Sequence, residues 1–178
     1  MKTLGLLMLL LFSAPVSCGQ SQQTMTIKLY FPNTRFDKGD CGVKVFPVTR
    51  KIPKAAAVAK AVLEQLFAGP TKLEQSRGFY SDFSEETKSL LISVNVKNRF
   101  AYVNIRNPIA TGTTLGNFTT SCGGSNFFGQ VERTLEQFSS IKTVFFAIEG
   151  NPASFYYWMQ IGECPKELKN CDDSNFIK

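Results

Sequence analysis

The chain has no histidine, so proton transfer or nucleophilic attack must rest on carboxylates such as Asp82, Glu85, Glu86 and Glu149, or on the hydroxyls of Ser121 and Ser125. Two carboxylates on either side of a sugar could serve a hydrolase. Without an imidazole, Ser-His and Cys-His nucleophile pairs and all His-containing metal sites are excluded. Glu85-Glu86 and Asp82 read as a solvated turn, so an enzyme is not expected, and no cofactor is implied. Gly123-Gly124-Ser125 offers a second chemistry, an anion held by the free backbone amides of a helix start, against a plain turn and N-cap. Arg50, Lys51 and Lys54 form the one small basic cluster and could meet an anionic polymer. Tyr156, Tyr157 and Trp158 could stack on a glycan or anchor a partner, since large aromatics dominate such contacts.

Five cysteines complete the reactive inventory. Cys41, Cys122, Cys164 and Cys171 could form a four-thiolate zinc site, but such sites carry C-x-x-C pairs and none is present. Disulfides are expected instead. Three pairings are open, among them a local Cys164–Cys171 bridge with Cys41 joined to Cys122. The fifth, Cys18, belongs to the N-terminus: Lys2, an apolar run over Leu4–Phe12 and small residues over 13–17 read as an export signal. Cys18 stands where a lipoprotein signal places its acylated cysteine; the alternative is ordinary cleavage near Gly19 and a released protein. Residues 1–18 are therefore the expected signal and 19–24 a tether. No nine-residue run spans a bilayer, which needs roughly 20 apolar residues.

The net charge of +6 favours anionic surfaces only mildly, and Lys and Arg are scattered without aromatic interleaving, so nucleic acid is not an expected partner.

These groups need a scaffold, and the 178 residues, 43% hydrophobic and 19% charged, suit one globular domain. Residues 25–31 alternate and stop at Pro32-Asn33, a strand; 43–50 resume extended character, with Pro47 marking an edge strand. An amphipathic helix is expected over 53–68, opened by Pro53 and closed by Gly69-Pro70. Thr71-Lys72-Leu73-Glu74 has the form of a capping box at the start of a second, short helix. Residues 90–96 and 100–105 read as a hairpin, 107–124 as a long polar loop, and 125–138 as a third helix capped by Ser125. Residues 143–149 form a last, apolar strand. The order ββααββαβ implies an α+β fold, a single two-layer domain with helices on one face of a mixed or mostly antiparallel sheet. An aromatic, cysteine-bearing tail, 153–178, follows the 25–152 domain and is expected to pack on it.

Several segments together resemble the GerMN domain of sporulation and spore-germination proteins, which also occurs in envelope lipoproteins of bacteria that do not sporulate. They are Lys28-Leu29-Tyr30-Phe31-Pro32, Pro47-Val48-Thr49-Arg50, Ile52-Pro53, residues 63–71 ending in Gly69-Pro70-Thr71, Leu91-Ile92-Ser93-Val94, Ala101-Tyr102-Val103-Asn104, Gly123-Gly124-Ser125, Leu135-Glu136-Gln137-Phe138 and Val144-Phe145-Phe146. Gly-Pro-Thr after the helix and Gly-Gly-Ser before the last one are the most specific. The resemblance runs from about Thr26 to Pro152. It implies a small module, similar to ring-building motifs of secretion-type assemblies, exported or lipid-anchored, without accepted catalytic activity and working by protein-protein contact. The cysteines, the long loop and the aromatic tail depart from the usual pattern, and the single copy sets the chain apart from two-domain sporulation proteins.

The expected function is thus a non-enzymatic interaction or scaffold module of the bacterial envelope, contacting an envelope protein or a second copy of itself and held at the membrane by lipid on Cys18. The alternatives are a binder of cell-wall or surface glycan and, more distantly, a carboxylate hydrolase.

Overall fold

A computed structural model describes residues 23–37, 44–112 and 118–176. The expected signal, Cys18, most of the tether and Cys41 lie outside them. Within them the order is β1 (Thr24–Phe31), β2 (Phe46–Pro53), α1 (Val58–Phe67), α2 (Lys72–Ser76), β3 (Leu91–Lys97), β4 (Phe100–Ile105), α3 (Ser121–Leu135), β5 (Thr143–Ile148) and α4 (Pro152–Trp158). This is the expected α+β class, with one helix more than the sequence suggested. No helix of the described residues is long and apolar enough to cross a membrane.

Hydrogen bonding divides the strands into two sheets. β1 and β2 form an antiparallel pair; β3 and β4 form an antiparallel hairpin, to which β5 adds in parallel beside β4. Alternation fixes the faces. Ile27, Leu29, Phe31, Val48 and Ile52 point inward from the first sheet, while Lys28, Thr49 and Lys51 lie on its outer face. The outer edge of β1 is closed by α3: the Lys28 amide donates to Gln137 Oε1 (2.9 Å) and the Tyr30 amide to Thr134 Oγ1 (3.1 Å). Even-numbered residues of β1 therefore face away from β2, and by register Pro47 and Pro53 sit on the open edge of β2, where no N–H is required.

In the second sheet Ala101, Val103, Val144 and Phe146 face the helices. Tyr102 and Phe145, on the opposite face, are covered by the tail, whose Phe176 is buried edge-on against Tyr102 at 5.3 Å. Asn95 Nδ2 donates to the Asn175 carbonyl at 2.9 Å and adds a polar tie. The Cys164–Cys171 disulfide, the local bridge foreseen from spacing, closes the turn before this segment. The core between helices and sheets is dense in phenylalanine, with Phe127 and Phe155 each in contact with Phe146.

Two boundaries correct the sequence reading. Pro53 does not open α1 but ends β2, paired with Thr24, and the helix begins at Val58 after an uncapped turn. Ser125 does not cap α3: Thr120 does, its Oγ1 accepting from the Gly123 amide at 3.1 Å, so Gly123, Gly124 and Ser125 lie inside the helix. The expected tail opens with a helix: Asn151 Oδ1 accepts from the Ser154 amide at 3.0 Å, with Pro152 in the first turn of α4.

Candidate functional site

A groove of about 980 Å³ opens at the end of the second sheet where β4 and β5, running in parallel, both terminate. Its rim is assembled from four local backbone devices. Asn107 Oδ1 accepts from the amides of Ile109 (3.0 Å) and Ala110 (3.3 Å), an Asx turn that holds Ile109 outward. The Asn151 cap starts α4 at the angle that buries Phe155, Tyr156 and Met159 and leaves Tyr157 exposed, with Trp158 at the boundary. Beyond α4, Gln160 takes a left-handed φ of 59°, and the Ile161 amide returns to the Tyr156 carbonyl at 3.0 Å, so Ile161 faces the groove.

The fourth device carries the charge. Ile148 and Asn151 exchange backbone hydrogen bonds (3.1 and 2.8 Å) across Glu149 and Gly150, whose φ values of 49° and 83° make a type I′ turn. Buried Asn104 fixes it by accepting from the Gly150 amide at 2.8 Å, while the Glu149 amide donates to the Ile105 carbonyl at the same distance. Glu149 Oε1 in turn accepts from the Asn107 amide at 3.2 Å. Asn104, the polar residue of an otherwise apolar strand, thus holds the turn that presents Glu149.

Exposed apolar side chains concentrate here: Tyr157 is 81% exposed, Ile109 77% and Ile161 52%. The three share one concavity, whereas exposed Phe36, Leu73, Tyr80 and Val96 do not line it.

The structure distributes the expected site residues unequally. Tyr157 and Trp158 line the groove; Tyr156, expected beside them, is buried because adjacent helical residues point about 100° apart. Its hydroxyl hydrogen-bonds the Phe146 backbone, and burial together with the nearby Glu132 carboxylate pushes the phenol above its ordinary range. Arg50 likewise leaves the basic cluster. Strand alternation turns it inward, where Nε and Nη2 reach both oxygens of Glu74, Nη1 reaches the Gln65 carbonyl (3.1 Å) and Nη2 the Gly69 carbonyl (2.8 Å). Its donors are used within the fold. Burial pushes the Glu74 carboxyl up, but the Arg50 guanidinium and the Thr71 amide outweigh it and hold the group below the ordinary carboxylate range. Glu74 also completes the capping box of α2 expected from Thr71 (Thr71 amide to Oε2, 2.7 Å). Lys51 and Lys54 remain exposed, without an ion-pair partner among the described residues.

Gly69-Pro70-Thr71 is structural for the same reasons: a Cβ on Gly69 would stand 2.2 Å from the Phe83 carbonyl oxygen, at a φ of 73°. Of the two readings weighed at Gly123-Gly124-Ser125, the anion cradle has little support, since those residues lie within α3 and the amides of Gly123 and Gly124 donate to Thr120.

Glu149 lines the large groove and Glu85 a separate cleft beside Arg50 and Thr71, so among the described residues the groove holds one carboxylate. Among the described residues no group of three or more Cys, Asp and Glu side chains could hold a metal ion. Cys122 is disulfide-bonded, and its expected partner Cys41 lies outside the described residues. Sequence reasoning missed Ile109, Ile161 and Asn107. The Asn-Pro-Ile spacing of the loop was a usable signal for the first and third.

A family model described as "Germane: Sporulation and spore germination" matches residues 28–154. Among solved structures, the tandem GerMN domains of the sporulation protein GerM from Bacillus subtilis are similar, with a TM-score of 0.47 and 22% identity over 72% of this chain; the match spans 40% of that one. A protein described as a lipoprotein from Clostridium perfringens is similar with a TM-score of 0.41 and 15% identity, over 71% of this chain and 75% of that one. No curated protein matches the chain.

Proposed function

The chain belongs to the Germane family of sporulation and spore germination proteins, and from that premise we propose that it is a non-enzymatic module of the bacterial envelope that binds another protein in the groove of Ile109, Tyr157 and Ile161. The observation that carries the reading is the exposure of these three side chains around one concavity fixed by capped and hydrogen-bonded turns. A preformed apolar surface binds without first ordering itself, which is what a docking site requires. We extend the proposal to the N-terminus: residues 1–18 export the chain, and acylation of Cys18 holds it at a membrane with the groove facing the periplasm or exterior.

A photo-reactive amino acid at position 157, introduced in the producing cells, tests the reading. A reproducible covalent adduct to one envelope protein, weakened by Ile109→Asp, is the expected result. No protein adduct from position 157, when exposed position 85 gives the same background, overturns it. Intact mass of the membrane-bound protein tests the anchor; an unmodified start near Gly19 overturns that part alone.

One observation favours a second reading, a binder of wall or surface glycan: the Tyr157 and Trp158 rings share the groove with the amide-bearing Asn107, Asn151 and Gln160, a pairing suited to sugar faces and hydroxyls. It predicts that Trp158→Ala lowers retention on isolated wall polymer. The exposed isoleucines, which offer a sugar nothing, place protein contact first.

A further inference from the structure

Given a protein-contact groove as proposed above, we infer that its occupant presents a single lysine or arginine, flanked by apolar residues, whose cationic head is received by Glu149 and the rings of Tyr157 and Trp158.

Among the described residues Glu149 is the only charged side chain lining the groove; the remaining surface is apolar, aromatic, amide or hydroxyl. One of its oxygens accepts from the Asn107 amide, and no cation pairs with it among the described residues. That hydrogen bond fixes the carboxylate while leaving Oε2 available to a ligand, where a charged donor would make a stronger bond than a neutral one.

The backbone supplies an independent observation. Both central positions of a type I′ turn need positive φ, which favours glycine, asparagine and aspartate. Position 150 meets this with glycine, but at 149, with a φ of 49°, stands a glutamate, which has neither the missing Cβ nor the short side chain suited to the conformation. Local backbone preference and residue type disagree where the groove acquires its charge, as they also do at Arg99 (φ 69°) in the β3–β4 turn, so the turn geometry supports the proposal only together with the lining of the groove. Tyr157 and Trp158 add ring faces that attract cations, and Ile109 and Ile161 provide apolar contact on either side.

The net charge, +6 for the full sequence and +5 once Lys2 is lost with the export signal, limits the ligand further. A polybasic segment would be repelled at long range, so the fitting partner carries one cation in an otherwise neutral or acidic surface.

Trp158 is the only tryptophan in the chain, so its emission reports occupancy of the groove directly. The full-length protein is titrated with acetyl-Leu-Lys-Leu-amide and with the analogue carrying norleucine for lysine. A saturating emission change is expected, with the lysine peptide at least about fivefold tighter, an advantage that shrinks with added sodium chloride. Glu149→Gln, which retains an oxygen to accept from the Asn107 amide, should erase the difference; Glu163→Gln, outside the groove, should not. Equal affinity of the two peptides, or an unchanged lysine preference in Glu149→Gln, overturns the cation site while leaving protein contact standing. No response to either peptide while position 157 still cross-links to a protein has the same meaning. An emission change with N-acetylglucosamine oligomers and none with peptides, together with no protein adduct at position 157, overturns both readings.

Discussion

Replacing Arg50 with alanine should unfold the protein several degrees earlier without touching the groove. The substitution strands the Glu74 carboxylate, which is 11% exposed, together with the Gln65 and Gly69 carbonyls, and it removes the guanidinium that lies over the Phe31 ring at 5.8 Å. Removing one partner of a fully buried ion pair costs about 3–5 kcal/mol. Arg50 is itself 12% exposed, so the lower end, about 3 kcal/mol, is the fitting value. For a domain of this size each kcal/mol corresponds to about 2–4 °C, giving a drop in Tm of about 6–12 °C. Lysine should recover only part, because one ammonium cannot repeat the forked contact. The assay is urea and thermal unfolding with the disulfides intact.

A pH series adds a signed check. The Glu74 carboxyl lies below its ordinary range in the folded protein, so its contribution is present above the unfolded pKa and is lost as pH falls through the folded one. Acidification should therefore narrow the gap between wild type and Arg50→Ala. A loss under about 1 kcal/mol, the worth of an exposed pair, would refute the reasoning and return Arg50 to the list of ligand-binding cations.

Glu132 should act with the opposite sign. Burial foremost, then the Glu136 carboxylate, pushes it up to about 7, so its contribution is present below the unfolded pKa and is lost as pH rises from the ordinary carboxylate range through about 7. Glu132→Gln should remove that decline, read by urea midpoints at acidic and mildly alkaline pH. Gly69→Ala should destabilise by about 2–4 kcal/mol through overpacking against Phe83 and a left-handed backbone, whereas Gly112→Ala, with φ 65° and open space, should lose only about 1 kcal/mol in the same denaturation assay. Serine at Cys164 and Cys171 should cost about 2 kcal/mol, given the short separation of 7 residues, and hydrogen exchange should show faster opening around Asn175 and Phe176 than in β4.

The elements legible in the sequence were those in which one local rule decides. Alternation identified β1, β3 and β4, and a continuous apolar run identified β5; Thr71 and Glu74 identified the α2 cap; proximity identified Cys164–Cys171 as one of the open pairings. Failures came where two rules compete at one residue. Pro53 fits both a helix start and an open strand edge, and pairing with Thr24 decided for the strand. Gly123 and Gly124 argue against a helix interior, yet Thr120 caps the helix ahead of them and their amides donate to its hydroxyl and carbonyl oxygens, so both glycines fall in the first turn of α3. The groove was half visible. Tyr157 and Trp158 were evident as exposed aromatics, but Glu149 and Ile109 join them only through the parallel pairing of β4 with β5, which brings two chain segments some 40 residues apart to one end of the sheet. Arg50 was the avoidable error, because the alternation that defines β2 already separates it from Lys51.

The position of β1, between β2 and α3, has a mechanical consequence. A load entering at Thr24 and resisted at the groove would pull β1 along its own axis. The β2 ladder from Pro53 to Phe46 and the Gln137 and Thr134 clamps would then be strained together, in shear, instead of parting one by one as in a peeled strand. Bonds loaded in parallel share force, so β1, clasped on both edges, resists a pull along its length better than a strand paired on one edge alone.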